Sequence, residues 1–94
     1  MIEIDLIVKR KFGIHLRPAT EFVQNISKFK SSVKIMKDDQ IADGKSVLDL
    51  VTLVLQENDQ IKVIVEGEDE NEVVKLVKNF FSFDEIEHEK RTDT

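Results

Sequence analysis

Ninety-four residues, 40% of them apolar, with a formal net charge of −5 describe one small acidic domain with enough chain for a modest core. The chain has no cysteine, which excludes disulfides and thiolate metal sites. Its acidic balance argues against non-specific nucleic-acid binding, which needs a basic footprint. No apolar run approaches the roughly 20 residues of a membrane span, and Met1-Ile2-Glu3-Ile4-Asp5 lacks the basic and apolar regions of a signal peptide. A cytoplasmic domain without membrane contact is therefore expected.

Ile2, Ile4, Leu6 and Val8 alternate with polar or outward residues, the period of a half-buried strand. Gly13 breaks that pattern. Leu16, Ala19, Phe22, Val23, Ile26 and Phe29 then recur at helical spacing, with Pro18 in the first turn, where its missing N–H costs little. Val33 and Ile35 alternate again, Asp38-Asp39 predicts a hairpin turn, and Gln40-Ile41-Ala42 a short returning strand. Gly44-Lys45-Ser46 leads into Val47, Leu50, Val51 and Val54 at helical spacing. Ser46 with Asp49 resembles a capping box. After a turn at Asn58-Asp59, Ile61, Val63 and Val65 alternate up to Gly67. Glu68 or Asp69 would cap a last helix carrying Val73, Leu76, Val77, Phe80 and Phe83. Residues 85–94 read as a frayed polar extension beyond a domain at 1–84, with His88 a solvated residue in it.

The order is β-α-β-β-α-β-α. Cleanly alternating strands predict an α+β fold with a four-stranded antiparallel sheet and the helices on one face.

The chemistry-bearing stretch is Gly13-Ile14-His15-Leu16-Arg17-Pro18-Ala19-Thr20. A helix N-terminus offers N–H groups without intrahelical partners and the positive end of the helix dipole, and so attracts anions. Arg17 and that dipole place positive charge beside His15, whose imidazole can take a phosphoryl group. Once a phosphoryl group is attached, the same groups hold it by charge-assisted hydrogen bonds. Ser46 is first a helix cap worth about 1 kcal/mol. Its hydroxyl, on an exposed helix end, is also open to a kinase, although a phosphate there would face Asp49 at like charge.

Gly44-Lys45-Ser46 imitates the end of a nucleotide-binding loop, but that pattern requires glycine where Asp39 stands. Val47, Leu48 and Val51 cannot all join Leu50, Leu53 and Val54 in the core, so an apolar docking patch is expected on that helix. No metal constellation and no Ser/His/Asp constellation can be assembled. Glu68-Asp69-Glu70 reads as a helix-start acidic cluster.

These segments together resemble the HPr family, the histidine phosphocarriers of the bacterial phosphoenolpyruvate:sugar phosphotransferase system. Residues 13–20 are similar to its active-site signature. Lys45-Ser46-Val47-Leu48, continuing through Leu53, is similar to its regulatory-serine segment, and Glu66-Gly67-Glu68-Asp69-Glu70 to the turn before its last helix. The resemblance implies an open-faced β-sandwich and a carrier rather than an enzyme, with no cofactor or metal. It implies that His15 takes a phosphoryl group from Enzyme I, on the ring nitrogen nearer the backbone, and gives it to IIA domains of sugar permeases. Arg17 would contact the phosphate. Val47, Leu48 and Val51, flanked by Leu16 and Thr20, would dock partners. Ser46 would be the target of an HPr kinase/phosphorylase, serving a transcriptional regulator in catabolite control. A monomer is expected. The alternative within the family is a regulatory paralogue, nitrogen-related or catabolite-control, acting as a phosphorylation-switched binding module without sugar transport.

Three positions and the tail depart from the family pattern. Phe12 stands where a short polar residue is common beside the histidine. Asp49 puts a negative charge at the docking patch, unfavourable toward acidic partners. Val54 replaces a common glycine, which predicts a longer second helix. The acidic tail exceeds the usual length.

Overall fold

In the computed structural model, which describes residues 1–82, seven elements follow in the expected order. They are β1 (Ile2–Ile7), α1 (Leu16–Ile26), β2 (Ser32–Lys37), β3 (Gln40–Asp43), α2 (Val47–Leu53), β4 (Gln60–Glu66) and α3 (Glu70–Ser82). The strands form one antiparallel sheet in the order β1-β4-β2-β3. Ile4 pairs with Val63, Val33 with Val65, and Ile35 with both Val63 and Ala42. Because side chains alternate across a strand, this register sends Val33, Ile35, Ala42, Ile61, Val63 and Val65 to one face, where all are buried. The opposite face carries Glu3, Lys34 and Lys62, and stays open.

The three helices cover the apolar face. Phe22 and Ile26 of α1, Leu50 and Leu53 of α2, and Val73, Val77 and Phe81 of α3 fill one continuous core. Phe22, Phe80 and Phe81 form an aromatic cluster between α1 and α3, with ring centroids 4.6–5.7 Å apart, a spacing that adds to simple burial. The antiparallel sheet with helices on one face, expected from the alternation, is thus the observed fold, and it is the open-faced sandwich that the resemblance implied.

Several boundaries differ from the periodic reading. The first helix ends at Ile26, not Phe29. Ser27 caps it through Val23, and Phe29 packs on the core from the following turn. The third strand runs one residue further, because Asp43 pairs with Lys34. The second helix does not lengthen at Val54. It stops there, with Val54 in the left-handed region at φ 55° and ψ 67°. A β-branched residue in that conformation is strained by roughly 1–2 kcal/mol. The Lys37 ammonium compensates by donating to the Val54 carbonyl at 2.9 Å while pairing with Asp59 at 2.8 Å. That ammonium, followed by the Gln56 N–H, holds the Asp59 carboxyl below the usual carboxylate range.

Asp69 does more than mark the start of α3. Its carboxylate accepts from the Lys30 and Ser31 N–H groups, at 2.8 and 2.9 Å, and from the Ser31 hydroxyl. It thereby fastens the α1–β2 loop to the last helix. The Ser31 hydroxyl and the Lys30 N–H lower its pKa from the ordinary aspartate value. Glu70, the first residue of α3, accepts from the Gly67 N–H at 3.1 Å and so ties the helix start to the turn before it. Phe83, the tail and His88 lie outside the described residues.

Candidate functional site

Gly13 begins the site. It adopts φ 70°, and a Cβ there would collide with the Leu55 carbonyl oxygen, so only glycine fits the turn without strain. Gly13 N–H closes the turn on the Arg10 carbonyl at 3.0 Å, and Ile14 N–H donates to the Leu55 carbonyl at 2.9 Å. Ile14 is buried, and His15 emerges exposed as the N-cap of α1, with extended backbone angles of φ −103° and ψ −171°. Its imidazole makes no capping hydrogen bond, so the ring is not consumed by the helix it begins.

The first turn of α1 suits an anion. Ala19 N–H is the first to bond within the helix, to the His15 carbonyl at 3.0 Å. Helix geometry leaves the Leu16 and Arg17 N–H groups without intrahelical acceptors, and Pro18 has none to offer. No acidic residue stands in that turn to compete with a ligand. Pro18 and Ala19 are buried and fix the helix start, while Leu16 and Arg17 remain exposed. Arg17 pairs with Glu21 one turn on at 3.7 Å, an exposed contact worth about 1 kcal/mol or less. Thr20, named as a docking residue, is half-buried, with its hydroxyl donating to the Leu16 carbonyl at 2.7 Å.

Ser46 sits at the N-cap of α2, and its hydroxyl accepts from the Asp49 N–H at 3.2 Å. The reciprocal half of the box is redirected. Asp49 accepts from the Asp43 N–H at 3.0 Å, stitching α2 to the end of β3, while Ser46 N–H turns to the Asp43 carbonyl. The neighbouring Lys45 ammonium donates to the Phe29 carbonyl at 2.8 Å, beside the C-terminal end of α1. His15 lies at the other end of that 11-residue helix, roughly 16 Å away along its axis. The structure therefore brings the segment that follows α2, not Ser46, against the two residues before His15. The link is the Leu55 carbonyl.

The docking residues divide as their spacing requires. Leu48 is 75% exposed and Leu16 65%, while Val47 and Val51 are half-buried against the core. Phe12 is 73% exposed at the tip of the turn before Gly13. A hollow of about 540 Å³, lined by residues such as Ile7, Met36 and Lys62, opens beside β1, β2 and β4 rather than at His15. His15 thus stands on the surface, outside that hollow. Among the described residues no three His, Asp or Glu side chains converge as a metal site, and no helix is long and apolar enough to cross a membrane.

The sequence reading missed Arg10. It stands just past β1 in a basic run, yet is only 8% exposed. Its guanidinium lies over the Phe80 ring at 4.0 Å, and its Nε donates to the Phe80 carbonyl at 3.1 Å. Among the described residues no buried side-chain nitrogen or oxygen lacks a hydrogen-bond partner. The available signal was a helix rich in phenylalanine at its end with no basic residue in its last turn, a site that a cation from elsewhere would fill.

Residues 2–82 match the family model described as the PTS HPr component phosphorylation site. The chain belongs to the HPr family. It is 33% identical to the phosphocarrier protein HPr of Borreliella burgdorferi over 84 residues, covering 85% of this chain and 98% of the relative. It is 36% identical to the HPr-like protein Crh of Halalkalibacterium halodurans, covering 85% and 95%. The crystal structure of HPr from Thermoanaerobacter tengcongensis superposes with a TM-score of 0.80 at 34% identity, over 86% of this chain and 91% of that one. An HPr dimer from the same organism aligns at TM-score 0.62 and 36% identity, over 82% and 88%. Structures of this fold thus include a dimer, and the expected monomer is not established by them.

Proposed function

We propose that this HPr-family protein is a cytoplasmic phosphocarrier whose phosphoryl acceptor is His15. Enzyme I, charged by phosphoenolpyruvate, is the donor, and IIA domains of sugar permeases are the recipients. The observation that carries the reading is the exposed, uncapping His15 ring at a helix start with Arg17 beside it and no carboxylate in the first turn.

In the forward step, a neutral ring nitrogen of His15 attacks phosphorus. The bond from phosphorus to the donor atom breaks, and its electron pair stays with the donor. Such transfer needs alignment and charge neutralisation more than covalent assistance. Arg17, released from its weak pair with Glu21, supplies a guanidinium, and the Leu16 and Arg17 N–H groups supply oriented dipoles. The exposed site leaves the group open to a second partner, so the carrier gives up what it holds. Leu16, Thr20, Val47, Leu48 and Val51 form the partner surface in this reading, with Asp49 at its edge. Ser46 is the regulatory position, modified by an ATP-dependent HPr kinase/phosphorylase. A phosphate there would displace the Asp49 N–H bond, alter α2, and act on docking rather than on the distant His15 ring.

The test is incubation with phosphoenolpyruvate and Enzyme I. One acid-labile, base-stable phosphate per chain is expected, and its persistence in His15→Ala would refute the assignment. The regulatory alternative draws support from the 36% identity to Crh together with the Ser46 cap. It would be favoured if Ser46, and not His15, were the group that takes phosphate.

A further inference from the structure

We propose that Arg10 is a positioning residue for His15, clamping the turn that presents the imidazole onto the end of α3. This rests on the phosphocarrier reading of His15. His15 follows a short turn with two fixed feet. At one foot, Lys9 N–H donates to the Phe81 carbonyl at 2.7 Å, and Arg10 lies over the Phe80 ring with its Nε on the Phe80 carbonyl. At the other, Ile14 N–H is held by the Leu55 carbonyl. The Arg10 carbonyl also accepts from the Gly13 N–H, so one residue anchors the turn and closes it. Lys11 and Phe12 between the feet are exposed, and nothing in their burial holds the turn. A guanidinium at the carboxyl end of a helix is favoured by the dipole, and stacking on a ring strengthens where water is excluded. Near-attack geometry tolerates little slack, so loosening one foot should slow transfer even where docking is intact.

The experiment compares the parent with Arg10→Ala and Arg10→Lys in two measurements well below the unfolding temperature. Initial rates of phosphorylation by Enzyme I, taken over a range of carrier concentrations, should show about a tenfold lower kcat in Arg10→Ala with KM within threefold. Arg10→Lys, which keeps a cation and an aliphatic stem, should recover part of that loss. Amide exchange should accelerate at least roughly tenfold at Gly13 in Arg10→Ala, with the amides of Leu50 and Val63 within about twofold of the parent. Unchanged exchange at Gly13, unchanged kcat, a rise in KM alone, or equal acceleration at all three amides would each overturn the proposal. A parent that takes no phosphate would sink the carrier reading and this role with it. Gly13 exchange would then still report whether Arg10 clamps the turn, which keeps the two failures distinguishable.

Discussion

The helix starts at His15 and Ser46 solve the same physical problem in opposite ways. At α2 the cap is conventional: Ser46 spends its hydroxyl on the Asp49 N–H, and Asp49 complements the dipole from inside the first turn. At α1 the cap position holds a histidine that makes no such bond, and the first turn has no acid. One end is satisfied by its own side chains. The other is left short of a negative partner, and the side chain best placed to carry one is the cap itself. A helix start without an internal cap keeps its first N–H groups open, and it forgoes the stability that a cap would add.

The largest test of this contrast is His15→Ser. Phosphate acceptance should fall by two orders of magnitude or more, because the acceptor nitrogen is gone. The protein should meanwhile become more stable, by about 0.5–1 kcal/mol in denaturant unfolding, because serine can supply the missing cap. A stability loss would mean that the ring already serves the fold. Gly13→Ala should come next. The collision with Leu55 and the positive φ predict a loss of about 2 kcal/mol or more, with slower phosphorylation at His15. Ser46→Ala should cost about 1 kcal/mol and leave the rate at His15 within twofold, since the two residues sit at opposite ends of α1.

The third helix start adds a pH-dependent arm. The folded-state pKa of Asp69 is depressed, so its stabilisation is complete above the ordinary aspartate value and is lost as pH falls through the lowered one. Asp69→Asn should therefore be less stable than the parent at neutral pH, and the gap should close on acidification. A gap that widened in acid would refute the assigned clasp. The smallest effect is Val54→Gly, which relieves the left-handed strain and should raise stability by up to about 1 kcal/mol.

Sequence patterns expose what is local. Alternation located β1, β2 and β4, and helical spacing located the cores of all three helices, because each signal is written in one short stretch of chain. The partners of backbone groups are not local, and the departures cluster there. Val54 continues a helical apolar pattern, yet the chain turns left-handed at that residue; the Lys37 contact with its carbonyl, 17 positions away, is invisible in the local text. Asp69 looked like a cap, and its carboxylate instead serves Lys30 and Ser31. Arg10 drew no attention in the sequence, because nothing near it announces the Phe80 ring. The places of His15, Arg17 and Ser46 at helix starts were legible for the converse reason: each depends on the adjoining helix, which the sequence spells out beside it.

The pairing of β1 with β4 has a consequence for how the protein is made. Ile2 pairs with Val65 and Ile7 with Gln60, so the first strand waits for chain more than fifty residues downstream. Contacts of that span raise the entropy of loop closure and slow folding. On the ribosome, the first strand and the segment bearing His15 would emerge well before β4 and α3 exist to receive them. The turn before His15 is then among the earliest parts synthesised and among the last to acquire its shape, and in a nascent chain the Gly13 amide should gain protection only after nearly the whole domain has cleared the exit tunnel.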